Sequence, residues 1–229
     1  MAKHPSGESL HFAILAVDTA LFTIRSGELL VRMVRVNRPP HFAGSKGLPG
    51  GLIEPKETAH QAAMRHVHTK ACIEPQKIYA EQLYTFSEVE RDPRGRVVAV
   101  AYLALVPWES LSPAEQAGSA ESWWATPGEA KKLAYDHDEI LLVALARLRS
   151  RTTYTTLMGK LLPKEFTLTE LERAYESVLK TDLDKRNFRK KILKVGVLSE
   201  LPRKRADGPH RPAQLYKFSS SKVEYIEVL

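Results

Sequence analysis

The 229-residue sequence contains a single cysteine, Cys72. One thiol makes neither an intrachain disulfide nor a cysteine-built zinc cluster. Long apolar runs are also lacking. The longest, Val97–Val106, has ten residues, about half of what a bilayer-spanning helix needs. The opening MAKHPSGESLHF has no basic stretch followed by a long apolar one, so no secretory leader is expected. No repeat or low-complexity tract is evident. Residues 1–150 also have no surplus charge, with 17 Lys+Arg against 17 Asp+Glu. These absences point to a soluble, cytoplasmic chain with no membrane partner.

The net charge of +7 lies wholly in residues 151–229, which hold 17 basic and 10 acidic residues. Within 185–211, ten Lys+Arg face only Glu200 and Asp207. A neutral front and a basic back imply two jobs, the second suited to a polyanion such as nucleic acid. A solvated basic surface is the plain alternative. At roughly 100–200 residues per domain, the length fits two domains, divided here as 1–150 and 151–229.

Residues 10–36 read as a β-hairpin around Ser26-Gly27. A Pro- and Gly-rich loop follows from Asn37 to Gly51, then a helix from Thr58 to about Lys70 with Ala59, Ala62, Ala63 and Val67 at helical spacing. Strands are expected at Tyr79–Phe86 and Val97–Val106 around the turn RDPRG, with another near Trp123-Trp124. The acids of AYDHDE, with His137 among them, favour a helix start before Ile140–Arg149. Beyond residue 150 the order reads helix, helix, helix, hairpin. Tyr154–Leu162 stops at Pro163; Thr167 and Glu170 form a capping-box pattern; Asp182 or Asp184 caps a helix with Phe188, Ile192, Leu193 and Val195 inward and Gly196 as stop. Val197–Leu201 and Ala213–Phe218 close the hairpin.

Within GLPGGLIEPKETAHQAAMRHVHTKACI (47–73), Gly51, Glu57, Arg65, Val67 and Ile73 stand at the spacing G-x5-E-x7-R-E-U-x-E-E-x-G-U, where U is apolar. The stretch resembles the Nudix box. Carboxylates at i, i+3 and i+4 share one helix face and bind divalent cations, which polarise a diphosphate for attack by water in Nudix hydrolases. Here His66, Thr69 and Lys70 stand in the glutamate positions and Cys72 in that of the late glycine. That face offers Mg2+ no hard oxygen ligands. No catalytic residue, no metal and no cofactor is expected, and the chain reads as no enzyme. Glu57 and Arg65 remain able to tie loop to helix. Lys70 places an ammonium where hydrolases hold their cation, which suits ligand sensing without turnover.

Three helices and a two-stranded wing make a winged helix-turn-helix, whose third helix lies in the major groove. Lys185, Arg186, Asn187, Arg189, Lys190 and Lys194 are the candidate DNA-binding residues of that helix, Arg186 and Asn187 as base readers. Arg203, Lys204, Arg205, His210 and Arg211 of the wing are expected on phosphates.

Together with EQLYTF (81–86), RDPRGRVVAVAYLAL (91–105), AYDHDEIL (134–141), LDKRNFRKKIL (183–193) and RPAQLYKF (211–218), these features resemble the Nudix-related transcriptional regulators across about residues 10–218. The resemblance implies an α+β chain, with an N-terminal Nudix-like α/β/α sandwich on a mixed sheet and a C-terminal winged helix. It further implies a dimeric repressor of NAD-biosynthesis or related genes that binds double-stranded operator DNA. The effector it implies is ADP-ribose or a similar NAD-derived compound; some branches instead respond to a sugar such as arabinose. Candidate effector-binding residues are Lys46, Gly50 and Gly51 through the loop backbone, Arg65, Lys70 and Arg96 through charge, and Tyr84 and Phe86 through stacking. Two rivals stand beside this reading: an ADP-ribose pyrophosphatase with an unusual site, and an RNA-binding or scaffolding protein reading shape.

Overall fold

A computed structural model describes residues 12–206 and 212–226. Strands β1 (Ile14–Arg25) and β2 (Glu28–Arg38) form the hairpin around Ser26-Gly27. The glycine-rich segment after them is not a bare loop: it holds β3 (Phe42–Gly47) on β2 and β4 (Gly50–Leu52) on the start of β1. Its backbone donors are thereby satisfied by the sheet rather than by water. Strands β5 (Tyr79–Phe86), β6 (Val97–Leu105) and β7 (Ser122–Ala125) complete a seven-stranded mixed sheet in the order β3-β2-β1-β6-β5, with β6 parallel to β1 and β7 on β2.

Both faces of this sheet are covered, so its central strands are apolar on both sides. Ala20, Phe22 and Ile24 of β1 join the cluster under α3 (His137–Tyr154), while Val17 and Leu21 face α1 (Ala59–Ala71). A five-residue helix α2 (Pro113–Ala117) precedes β7. The buried Arg32 donates from Nε and from a terminal nitrogen to the Ala71 carbonyl, at 3.1 and 2.7 Å, closing the C-terminus of α1.

The expected helix Tyr154–Leu162 is absent. Helix α3 instead runs through residue 150 to Tyr154, and Thr156–Lys160 forms a 3-10 turn. β-branched Thr155 and Thr156 favour extended backbone at this break: Thr155 pairs with Tyr225, and its hydroxyl accepts the Leu157 N–H. A short β8 (Phe166–Thr167) leads into α4 (Leu168–Leu179), whose Thr167–Glu170 capping box forms as the sequence predicts. Then come α5 (Lys185–Val195), capped by Asp184, and the wing strands β9 (Leu198–Arg205) and β10 (Ala213–Phe218) in a sheet ordered β8-β10-β9. Phe188 and Ile192 of α5 are buried, but Leu193 is 45% exposed: positions i and i+4 share the inward stripe and i+5 turns away from it. One apolar cluster runs from Phe22, Leu103 and Ile140 through Leu157 and Leu161 to Tyr175, Phe188 and Tyr216, joining the sheet to the winged helix. No helix is long and apolar enough to cross a membrane among the described residues.

Candidate functional site

A cavity of about 770 Å³ opens between the C-terminal end of β2, the β1–β4 pair and α1. That volume lies within the roughly 300–1,000 Å³ of small-molecule sites. Its wall includes Arg35, Arg38, Arg65, Lys70, Arg91 and Arg94. Gly50 and Gly51 allow the backbone to lie flush at its base: a Cβ at Gly50 would fall 2.1 Å from the Asp18 carboxylate, and one at Gly51 2.5 Å from the His66 ring.

Arg65 reaches back eight residues to Glu57, with Nε 2.9 Å from one carboxylate oxygen and a terminal nitrogen on the other. Arg65 also donates to the Leu52 carbonyl at 3.1 Å, and Glu57 accepts the Glu54 N–H, so the pair locks β4 to α1. The Arg65 hydrogen bond holds the Glu57 carboxyl down at about 2. The helix face that binds metal in hydrolases does not fit a divalent cation here. His66 is bonded through Nε2 to the Leu52 carbonyl, Thr69 through its hydroxyl to the Arg65 carbonyl, and Lys70 through Nζ to the Gly50 carbonyl at 2.5 Å. None is an anionic oxygen, and Glu57, the glutamate that the box retains, is chelated by Arg65. Cys72, at the glycine position, ends α1 in the left-handed region, with φ 55°.

Deeper in the wall is a charged cluster that sequence reasoning missed. Arg91 donates to Asp18 at 3.2 Å and to both oxygens of Asp136 at 2.7 and 2.6 Å. His137 Nε2 lies 3.2 Å from Asp18. Asp18, Asp136 and His137 bring metal-ligand atoms within 4.8 Å of one another, but Arg91 already supplies a cation to both carboxylates. The available signal was Asp18 itself, a lone carboxylate inside the apolar run LHFAILAVDTALFTI, since a buried acid needs a partner.

Of the expected effector residues, the structure gathers Gly50, Gly51, Arg65 and Lys70 at the cavity. Lys46, Tyr84, Phe86 and Arg96 do not line it. Lys46 binds the 129–134 segment through its carbonyl, which accepts the Ala134 N–H, and its Nζ, 3.5 Å from the Glu129 carbonyl. Arg96 donates to the Ser87 and Glu88 carbonyls. Phe86 is buried in the core, with Tyr84 exposed beside it in an edge-to-face contact.

On the winged helix, Lys185, Arg186, Asn187, Lys190 and Lys194 are exposed along α5, as are Arg203 and Lys204 on β9. Three arginines are engaged within the module. Arg189 bonds the Thr169 hydroxyl at 2.9 Å and lies 3.7 Å from the buried Glu172; Arg203 pairs with Glu165 and Arg205 with Glu170. His210 and Arg211 lie outside the described residues.

Residues 15–144 match the model of the NUDIX domain, and residues 158–218 that of the NrtR DNA-binding winged helix domain. The ADPR-responsive transcriptional repressor NtrR of Acinetobacter baylyi is 34% identical over 93% of this chain and 84% of its own length. The Shewanella oneidensis NrtR crystal structure with a 27mer DNA superposes with a TM-score of 0.77 at 32% identity, covering 90% of this chain and 93% of that one. Its isolated NUDIX domain with ADP ribose, at 32% identity, covers 63% of this chain and 93% of its own, with a TM-score of 0.50. Both halves are matched in chain order and one such repressor is similar along nearly the whole length, so the chain belongs to the Nudix-related transcriptional regulators.

Proposed function

We propose that this protein is a ligand-responsive transcriptional repressor of NAD-biosynthesis or related metabolic genes. It acts as a homodimer on double-stranded operator DNA and binds ADP-ribose or a similar NAD-derived compound without hydrolysing it. The observation that carries the reading is α3. Its first residue, His137, lines the cavity, and near its other end Arg149 donates to the Val178 carbonyl of α4 at 3.1 Å. At about 1.5 Å per residue, its 18 residues form one rigid link between cavity and reading module. An effector that prefers one placement of this helix shifts the reading helices by its differential affinity for the two placements. The domain division falls in this reading at the end of α3, near residues 150–155.

Absence of hydrolysis is supported by the helix face of α1, where His66, Thr69 and Lys70 replace oxygen ligands. Incubating the full chain with ADP-ribose and millimolar Mg2+ tests this: no AMP is expected, and turnover abolished by Glu57→Gln would overturn it. Footprinting on the chain's own upstream region tests the rest. A discrete twofold-symmetric footprint, released or tightened by ADP-ribose but not by arabinose, is the expected result. Uniform binding to any duplex would favour a shape-reading scaffold.

A further inference from the structure

The cations lining the cavity are not equally committed. Arg65 is paired with Glu57 and Glu54, Arg91 with Asp18 and Asp136, and Arg94 with Asp92; Arg35 lies 3.7 Å from Glu121. Lys70 and Arg38 differ from these. Among the described residues the Lys70 ammonium hydrogen-bonds only the Gly50 carbonyl, which uses one of its three protons. The Arg38 side chain has no hydrogen bond or ion pair among the described residues. Burial first, then the neighbouring Arg38, push the Lys70 ammonium below its ordinary value, so the two charges feel one another across the cavity. Asp18 acts on Lys70 in the opposite sense, but its carboxylate is held by Arg91 and His137. The two like charges at one concave wall raise the energy of the empty site, and an entering anion relieves it.

We propose that Lys70 and Arg38 form an anion clamp that holds the diphosphate of the effector in place of a divalent cation, so that effector binding is independent of Mg2+. The proposal rests on the effector reading above and assigns its charge chemistry. A diphosphate presents two adjacent anionic groups. The Arg38 fork matches one bidentately, and the Lys70 ammonium neutralises the other as a point charge. The same ammonium, seated on the Gly50 carbonyl, repels a metal ion from the position where a hydrolase would need one. Substrate charge is thereby neutralised with no metal-bound water beside it.

The test is titration calorimetry of the full chain with ADP-ribose, in EDTA and in millimolar Mg2+. Affinity in EDTA is expected to equal that in Mg2+. Lys70→Gln and Arg38→Gln should each weaken binding about tenfold, the 1.4 kcal/mol scale of one charge-assisted contact. Lys70→Arg should keep most of the affinity, and unchanged far-UV circular dichroism should show that the variants fold. Strict Mg2+ dependence, or both glutamine variants binding as the parent does, overturns the clamp. If the parent ignores ADP-ribose in both buffers, the effector reading fails, and inorganic pyrophosphate decides the clamp alone. A thermal shift in EDTA that both variants lose supports it; no shift, or equal shifts, overturns it.

Discussion

His137 Nε2 lies 3.2 Å from the Asp18 carboxylate, while its Nδ1 accepts the Leu48 N–H at 2.9 Å. With Nδ1 acting as acceptor, Nε2 carries the proton and donates it to Asp18. Burial alone would raise the Asp18 carboxyl, but His137 and Arg91 outweigh it and hold the group below its ordinary value. The carboxylate thus joins the first residue of α3 to strand β1 and to Arg91.

Asp18→Asn keeps the shape but removes the charge that Arg91 and His137 face. Breaking a buried pair on one side costs about 3–5 kcal/mol. Asp136 still holds Arg91, so the lower end, about 3 kcal/mol, is expected in urea unfolding. An unchanged midpoint would show that the cluster contributes no stability.

Acid should loosen the contact of α2 with the 74–77 segment. Burial raises the Glu115 carboxyl, but Lys77 and the Glu74 and Ser112 N–H groups outweigh it and bring it to about 2. Because the folded value is the lower one, this stability is present above pH 4.5 and is lost as pH falls from there towards 2. At about 1.4 kcal/mol per tenfold change, the depression corresponds to about 3 kcal/mol. Glu115→Gln should be less stable at neutral pH and should lose less between pH 5 and 3 than the parent, as measured by urea midpoints. Parallel curves would remove Glu115 as the source.

Two neighbouring arginines of α5 should separate cleanly. Arg186 is exposed, whereas Arg189 bonds Thr169 and faces Glu172. Arg186→Ala should leave the melting temperature unchanged and weaken operator binding by about 1–3 kcal/mol if Arg186 forks onto a guanine. Arg189→Ala should lower the melting temperature, because Glu172 is left buried without its cation. Fluorescence anisotropy and thermal melts on the same preparations decide; the reverse pattern would exchange their roles.

Cys72→Gly should stabilise the fold. A side chain in the left-handed region costs about 1 kcal/mol relative to glycine at a helix end, against a smaller loss from the looser unfolded chain. A gain of about 0.5 kcal/mol is expected in urea unfolding, while Cys72→Val should destabilise.

What the sequence made legible was local. The Thr167–Glu170 box, the Asp184 cap and the Ser26-Gly27 turn are each satisfied by atoms within a few residues, and each forms where the spacing puts it. The Glu57–Arg65 lock spans eight residues and also forms. What escaped depends on chain segments far apart. Asp18 meets Arg91 and His137 only because β1, the turn after β5 and the start of α3 converge, and no period or cap encodes that meeting. Arg38 went unnoticed because a charge at the end of a strand reads as solvated until a cavity is built beside it. Lys46 reads as a loop-backbone contact and Arg96 and Phe86 as effector partners by side-chain type. The bonds of Lys46 and Arg96 to nearby carbonyls and the burial of Phe86 arise from packing that neither signal reveals.

The apolar cluster that runs unbroken from Phe22 to Tyr216 has a consequence for how heat takes the molecule apart. Two modules with separate interiors give two endotherms, whereas a shared interior favours a single cooperative one. Any compound that tightens the sheet then raises the temperature at which the reading helix is lost, so calorimetry on the intact chain registers occupancy at one end as durability at the other.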